Sequence, residues 1–220
     1  METTLQPARA RALARLAWHA AMLTPLILVG IAILAWGSAA IAIAWFAVSR
    51  ITYIGFAAVS LKRAPRPEDA MPLDVREKSW RRFRDRASWL MDNDAVALCT
   101  LIVATRGTFD VGMPWWVAIV SGVGLCIVGI SVKLWAGAHL PEGSYHWRNF
   151  FVHEETTFSA SGPYKLFANP MYTLGYAHAY GVALAWLSFP GLLASAFAQA
   201  TILALNALIE QPHFRRQTDR

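Results

Sequence analysis

The sequence predicts an all-α membrane protein, a polytopic bundle of about six transmembrane helices ending in a helical hairpin. Composition comes first: 56% of the 220 residues are apolar and only 15% are charged, with a mean hydropathy of +0.37. A soluble domain carries about 25% charged residues, so much of this surface is built for a second solvent. Second, the apolar residues come in blocks of about 20, the length a helix needs to cross a hydrocarbon core of roughly 30 Å. Third, lysine and arginine alternate between the gaps separating those blocks, as the positive-inside rule requires. Backbone groups in lipid must satisfy one another, so the blocks are expected to be helices.

Six spans follow, at about 16–36, 39–61, 89–105, 115–138, 170–189 and 191–209. Only Gly37-Ser38 separates the first two, and Arg50 lies inside the second. Either Arg50 faces the bundle interior, or the first span ends near Ser49 and 51–61 lies at the interface, which leaves five spans. Ser188-Phe189-Pro190-Gly191 is a tight reversal, so the last two spans form a hairpin. The first block has a basic start, but its apolar run exceeds that of a leader peptide and another follows at once, so a retained anchor is expected.

Basic residues concentrate in the N-terminal arm (Arg9, Arg11, Arg15), between Lys62 and Arg86, at Lys133 and Arg148, and in the tail. The gap over 107–114 has none, which places both termini and the polar C-terminal third in the cytoplasm. The net charge of +6 is accounted for by topology, with attraction of anionic lipid headgroups to the basic loop as a compatible function. It gives no reason to invoke nucleic acid. Cys99 and Cys126 fall in predicted spans, so neither a disulfide nor a metal centre is expected. Three regions result: an N-terminal membrane hairpin with a basic arm (1–61), a basic linker with an interfacial helix (62–90), and a membrane core (91–220). In the linker, the amphipathic stretch 75–90 reads as a surface helix anchored by Trp80, Phe83 and Trp89.

Titratable side chains gather between His139 and Asn169. Gly162-Pro163 is a turn, and Asn169-Pro170 reads as a helix start, an N-cap side chain followed by proline at the first helical position. Its free N–H groups would suit an anionic ligand group such as a carboxylate. Tyr172, Gly175 and Ala179 share one face of that helix, and the small pair Gly175 and Ala179 admits close approach. Glu210 near the end of the last span is either a functional carboxylate or a residue at the water boundary before Pro212.

Gly162-Pro163-Tyr164-Lys165, then Asn169-Pro170-Met171-Tyr172 and Gly175, then a hairpin with an acidic exit, resembles the core of the phospholipid N-methyltransferases and the related isoprenylcysteine carboxyl methyltransferases. The resemblance covers residues 147–216, about a third of the chain, and Trp147-Arg148-Asn149-Phe150-Phe151 is similar to an aromatic stretch of the phosphatidylethanolamine enzymes. Asn169 stands where the carboxyl methyltransferases have histidine, which points to a lipid headgroup amine. The family's Glu-Glu pair is reduced to Glu210-Gln211, leaving one carboxylate. The resemblance implies S-adenosylmethionine as methyl donor, phosphatidylethanolamine or its methylated derivatives as acceptor, and Gly162, Tyr164, Asn169, Pro170, Tyr172, Gly175 and Glu210 as donor contacts.

Chemistry adds a requirement: an amine with a lysine-like pKa of about 10 is mostly protonated and needs a base. His146, Glu155 and His178 are the candidates. A carboxyl methyltransferase would need no such base. A membrane reductase would need a nicotinamide donor, for which no dinucleotide fingerprint is present. A transporter would show broken helices in corresponding halves, whereas the polar residues here sit in one third of the chain. Sequence leaves the oligomeric state open.

Overall fold

The computed structural model describes residues 5–66, 69–141, 143–152, 162–167 and 169–218. Among them the chain is helical, without strands, and four helices are long and apolar enough to cross a membrane. These are α2 (Ala39–Lys62), α3 (Leu73–Ala104), α4 (Trp115–Ala138) and the run Phe189–Arg215 that begins with α7 (Phe189–Leu205). Ahead of them α1 (Leu5–Trp36) has a shorter apolar part, Ala20–Trp36. Their outer faces present large apolar side chains outward: Val120 and Leu134 of α4 are 66% and 70% exposed. That inversion of the soluble pattern defines an integral membrane protein.

Ser38 caps α2, its hydroxyl accepting from the backbone N–H of Ile41 at 3.4 Å. The weak Gly37-Ser38 signal is thus enough to start a new helix, and α2 runs unbroken past Arg50, which is buried. Of the two readings of that residue, the interior one holds. In α3 the expected surface helix and the following span are one continuous helix of 32 residues. Trp80 and Phe83 are buried against the Trp147–Val152 segment instead of anchoring a surface helix, while Trp89 is exposed. Phe83 stacks edge-on against Trp147, and the Trp80 indole donates to the His146 carbonyl at 3.1 Å. The polar loop gives that end of α3 a second apolar surface to cover, so the amphipathic stripe faces protein.

The fifth predicted span differs most from expectation. No helix begins at Asn169-Pro170; residues 170–173 are turns, Leu174–Tyr176 is a 3-10 turn, and α6 (Ala177–Ala185) has only nine residues. The anion site expected at a helix N-terminus there is therefore not formed. The start of α6 packs closely on α4: a Cβ on Gly129 would collide with His178 N and lie 3.1 Å from the Gly175 carbonyl oxygen. Gly122 and Gly181 face each other at the crossing: a Cβ on Gly181 would lie 2.8 Å from Cys126 Sγ, and one on Gly122 2.8 Å from Ala185 Cβ. Backbones this close leave no room for side chains. Gly181→Leu is expected to destabilise the fold by about 1–3 kcal/mol through overpacking. Thermal unfolding in detergent would show it as a midpoint lowered by several degrees.

The final hairpin forms as expected. Leu187 ends α6 in the left-handed region (φ 49°), and the Ser188 hydroxyl caps α7 by accepting from Gly191 N–H at 2.9 Å. After α7 comes one π-helical turn, Asn206–Glu210, then α8 (Gln211–Thr218). Such a turn inserts one extra residue into the spiral and redirects side chains, a device frequent at functional sites. Here it turns both Asn206 and Glu210 into the bundle, where they are buried.

Candidate active site

A cavity of about 840 Å³ lies between α2, α3, α4, α6, the π-helical turn and the polar loop. One wall is a hydrogen-bonded network centred on Glu210, which is 6% exposed. Its Oε1 accepts from Trp147 Nε1 at 2.8 Å and from the Tyr172 hydroxyl at 3.0 Å, and its Oε2 from Asn206 Nδ2 at 3.0 Å. Asn206 Oδ1 in turn accepts from Asn169 Nδ2 at 2.9 Å and from Gln211 Nε2 at 3.2 Å. Glu210 is thus an interior carboxylate held by three donors, not a residue at the water boundary. Gln211, in the place of the family's second glutamate, supports Asn206 from behind.

Trp147 reaches Glu210 from an unusual backbone position, with φ 52° and ψ 35° between a 3-10 turn (Ser144–His146) and α5 (Arg148–Phe151). A bulky residue in the left-handed region is rare and persists only where its surroundings over-determine it. Three contacts do so here. The indole is tied to Glu210, its ring packs on Phe83, and the next residue, Arg148, bonds Glu77 of α3 through Nε at 3.0 Å.

Among the expected donor contacts, Tyr164, Asn169, Tyr172 and Glu210 line this cavity. Gly162, Pro170 and Gly175 are not among its lining residues. Gly162 sits at φ +57° with the His139 ring where a Cβ would be, Pro170 is fully buried, and Gly175 packs on the Lys133 side chain. Burial, and secondarily the Glu210 carboxylate, pushes the Tyr164 hydroxyl above the ordinary tyrosine range, so it stays a neutral donor.

Of the expected bases, His146 and His178 both line the cavity, and Glu155 lies outside the described residues. His146 Nε2 is 3.0 Å from the Ser88 hydroxyl; burial first and Arg84 second hold its pKa below the usual histidine value, against Asp85. His178 bonds the Gly175 carbonyl through Nδ1. A carbonyl only accepts, so a proton sits on Nδ1, and in the neutral ring the lone pair is on Nε2. Sequence reasoning missed the far end of the cavity, where Arg50 of α2 pairs with Asp94 of α3 and Lys133 Nζ lies 5.2 Å from the Tyr176 ring centre. Arg50 stood out as a cation inside a span, whereas Asp94 was concealed in the sequence by the run Asp92-Asn93-Asp94 at the predicted edge of one.

Fold and site together define a helical membrane protein with an internal polar cavity, walled by a carboxylate, tyrosines and histidines. Residues 117–217 match the phospholipid methyltransferase family, so the resemblance read from the motif holds over the segment that builds the Glu210 wall. Similar proteins include the phosphatidylethanolamine N-methyltransferase of Arthroderma benhamiae, 30% identical over 159 residues covering 68% of this chain and 16% of that protein. Those of Sordaria macrospora (28% over 149 residues, 64% and 15%) and Komagataella phaffii (28% over 143 residues, 63% and 16%) are comparable. The chain therefore spans only about a sixth of the length of the curated relatives it matches. No solved structure matches.

Proposed function

We propose that the chain is an S-adenosylmethionine-dependent phospholipid N-methyltransferase, methylating the headgroup amine of phosphatidylethanolamine or its methylated derivatives. The observation that carries this reading is Glu210, a buried carboxylate fixed by three donors on the wall of a cavity shared with a histidine lone pair, inside the family match. When bound, the donor supplies an electrophilic methyl group on a sulfonium.

The residues fit such a donor. The Glu210 carboxylate suits its amino group or a ribose hydroxyl, and Tyr164 and Tyr172 line the same cavity, where a ring beside a cation would be worth roughly 0.5–2 kcal/mol. Asn169 and Asn206 fix the angle at which Glu210 meets its ligand. His178 Nε2 takes the proton that the acceptor ammonium must lose before attack. The remaining contribution would be geometric: the rigid wall formed with the π-helical turn would hold donor and acceptor close together, where proximity lowers the barrier most.

The distribution of basic residues supports a cytoplasmic opening for the cavity and cytoplasmic termini. Exposed Arg81, Arg82 and Arg86 on α3 are suited to anionic lipid headgroups on that side.

Incubating the purified protein with methyl-labelled S-adenosylmethionine, a phospholipid panel and a prenylated cysteine tests the reading. Label is expected in phosphatidylethanolamine or its mono- and dimethyl derivatives. A base-labile methyl ester on a prenylated cysteine would instead assign the carboxyl class, and donor binding without any lipid product would exclude the acceptor.

A further inference from the structure

The buried pair Arg50–Asp94 joins α2 to α3 at the cavity wall, and each residue is only 4% exposed. Beside it, Asn93 Nδ2 donates to Ser49 Oγ at 2.7 Å, a second polar rung between the same helices. The Asn–Ser rung satisfies a simple need for interhelical adhesion. The ion pair is built differently. A guanidinium meeting a carboxylate for structural ends favours two parallel bonds that use both oxygens. Here Arg50 Nη2 takes Asp94 Oδ2, while Arg50 Nε, Arg50 Nη1 and Asp94 Oδ1 have no hydrogen-bond partner among the described residues. Charges at membrane depth with unused bonding capacity are costly unless a ligand completes them. The unused atoms form a matched set: two N–H donors of a cation next to one oxygen of an anion. Such a set complements a zwitterion, an anionic oxygen group and an ammonium joined by a short bridge.

Two zwitterions belong to the proposed reaction, the amino-acid end of the donor and a phosphoethanolamine headgroup. The donor end is provided for by the Glu210 network, which the family match covers; α2 and α3 lie outside that match. We propose that Arg50 and Asp94 form the acceptor subsite, Arg50 Nε and Nη1 binding the headgroup phosphate and Asp94 Oδ1 the ammonium. Lys133, whose side chain lines the same cavity, adds positive charge on the phosphate side. The inference rests on the methyltransferase reading. It explains why an acceptor enzyme for zwitterionic lipids keeps an ion pair inside its membrane bundle, and why Arg50 Nε, Arg50 Nη1 and Asp94 Oδ1 are without a hydrogen-bond partner among the described residues.

The test compares the wild type with Arg50→Gln, Asp94→Asn and the charge-swapped double variant Arg50→Asp/Asp94→Arg. Each is measured for S-adenosylmethionine affinity by calorimetry and for kcat/KM with phosphatidylethanolamine. Both single variants are expected to keep donor affinity within about threefold and to lose about 10- to 100-fold in kcat/KM, the range for hydrogen bonds to charged groups. The swap restores the helix–helix attraction but inverts the subsite, so it is expected to bind donor and remain at least tenfold impaired. The proposal is overturned if kcat/KM changes less than tenfold in the single variants. It is equally overturned if donor affinity falls with it, which would give the pair to the donor or to folding, or if the swap recovers wild-type transfer. A wild type that binds donor but methylates no phospholipid fails the underlying reading instead, and the two failures are told apart by that control.

Discussion

Replacing Glu210 with glutamine is expected to weaken S-adenosylmethionine binding about 10- to 100-fold, as measured by calorimetry on the purified protein. The substitution preserves volume, so its effect comes from changed hydrogen bonds and charge. Glu210 Oε2 accepts from Asn206 Nδ2, and a glutamine amide at that position confronts one donor with another. Asn206 cannot simply rotate its amide, because its oxygen already serves Asn169 and Gln211. Either the Glu210–Asn206 bond is lost, or the conflict passes to the two bonds behind it, or the glutamine flips and its NH2 confronts the Trp147 indole N–H. The carboxylate's charge, which would face a cationic amine, is lost as well. Tyr172→Phe removes a single donor to the same oxygen and should cost only a few-fold. That ordering, large for Glu210 and small for Tyr172, distinguishes a donor contact from general disruption of the bundle.

The second large effect is expected at His178. Its alanine variant should lose about 10² to 10⁴ in kcat, the range for removing a positioned general base, with donor affinity unchanged. The geometry is specific: the Gly175 carbonyl fixes the proton on Nδ1 and keeps Nε2 as the acceptor. Single-turnover kinetics with prebound donor isolate this step from binding and release. Because proton removal alone is disabled, added imidazole should restore part of the rate. If His178→Ala retained wild-type kcat, the base would have to be sought at Glu155 or at His146, whose Nε2 is already engaged with Ser88.

Much of this is legible in the sequence. Apolar blocks and alternating basic residues identified the membrane bundle, because lipid leaves the backbone few alternatives to helices. Asn169, Tyr172 and Glu210 converge as the motif implied. What sequence could not show depends on neighbours distant along the chain. Asn169-Pro170 carries both signals of a helix start, yet that segment forms turns, followed by a helix packed closely on α4. Trp80 and Phe83 have the spacing of a membrane-surface stripe, and only the fold reveals that Trp147–Val152 covers them. The π-helical turn leaves no trace in hydropathy, although it brings Asn206 and Glu210 onto one wall. Asp94 was hidden for the same reason: its meaning depends on Arg50, 44 residues away.

The claim on which the rest depends is that the methyl donor sits against Glu210. An experimental structure of the protein saturated with S-adenosylhomocysteine, the donor after loss of its methyl group, measures this directly. The account predicts ligand density in the cavity with a polar group of the ligand within hydrogen-bond distance of the Glu210 carboxylate and the thioether facing the tyrosine rings. Density elsewhere in the bundle, with the Glu210 network unchanged and untouched, would contradict it.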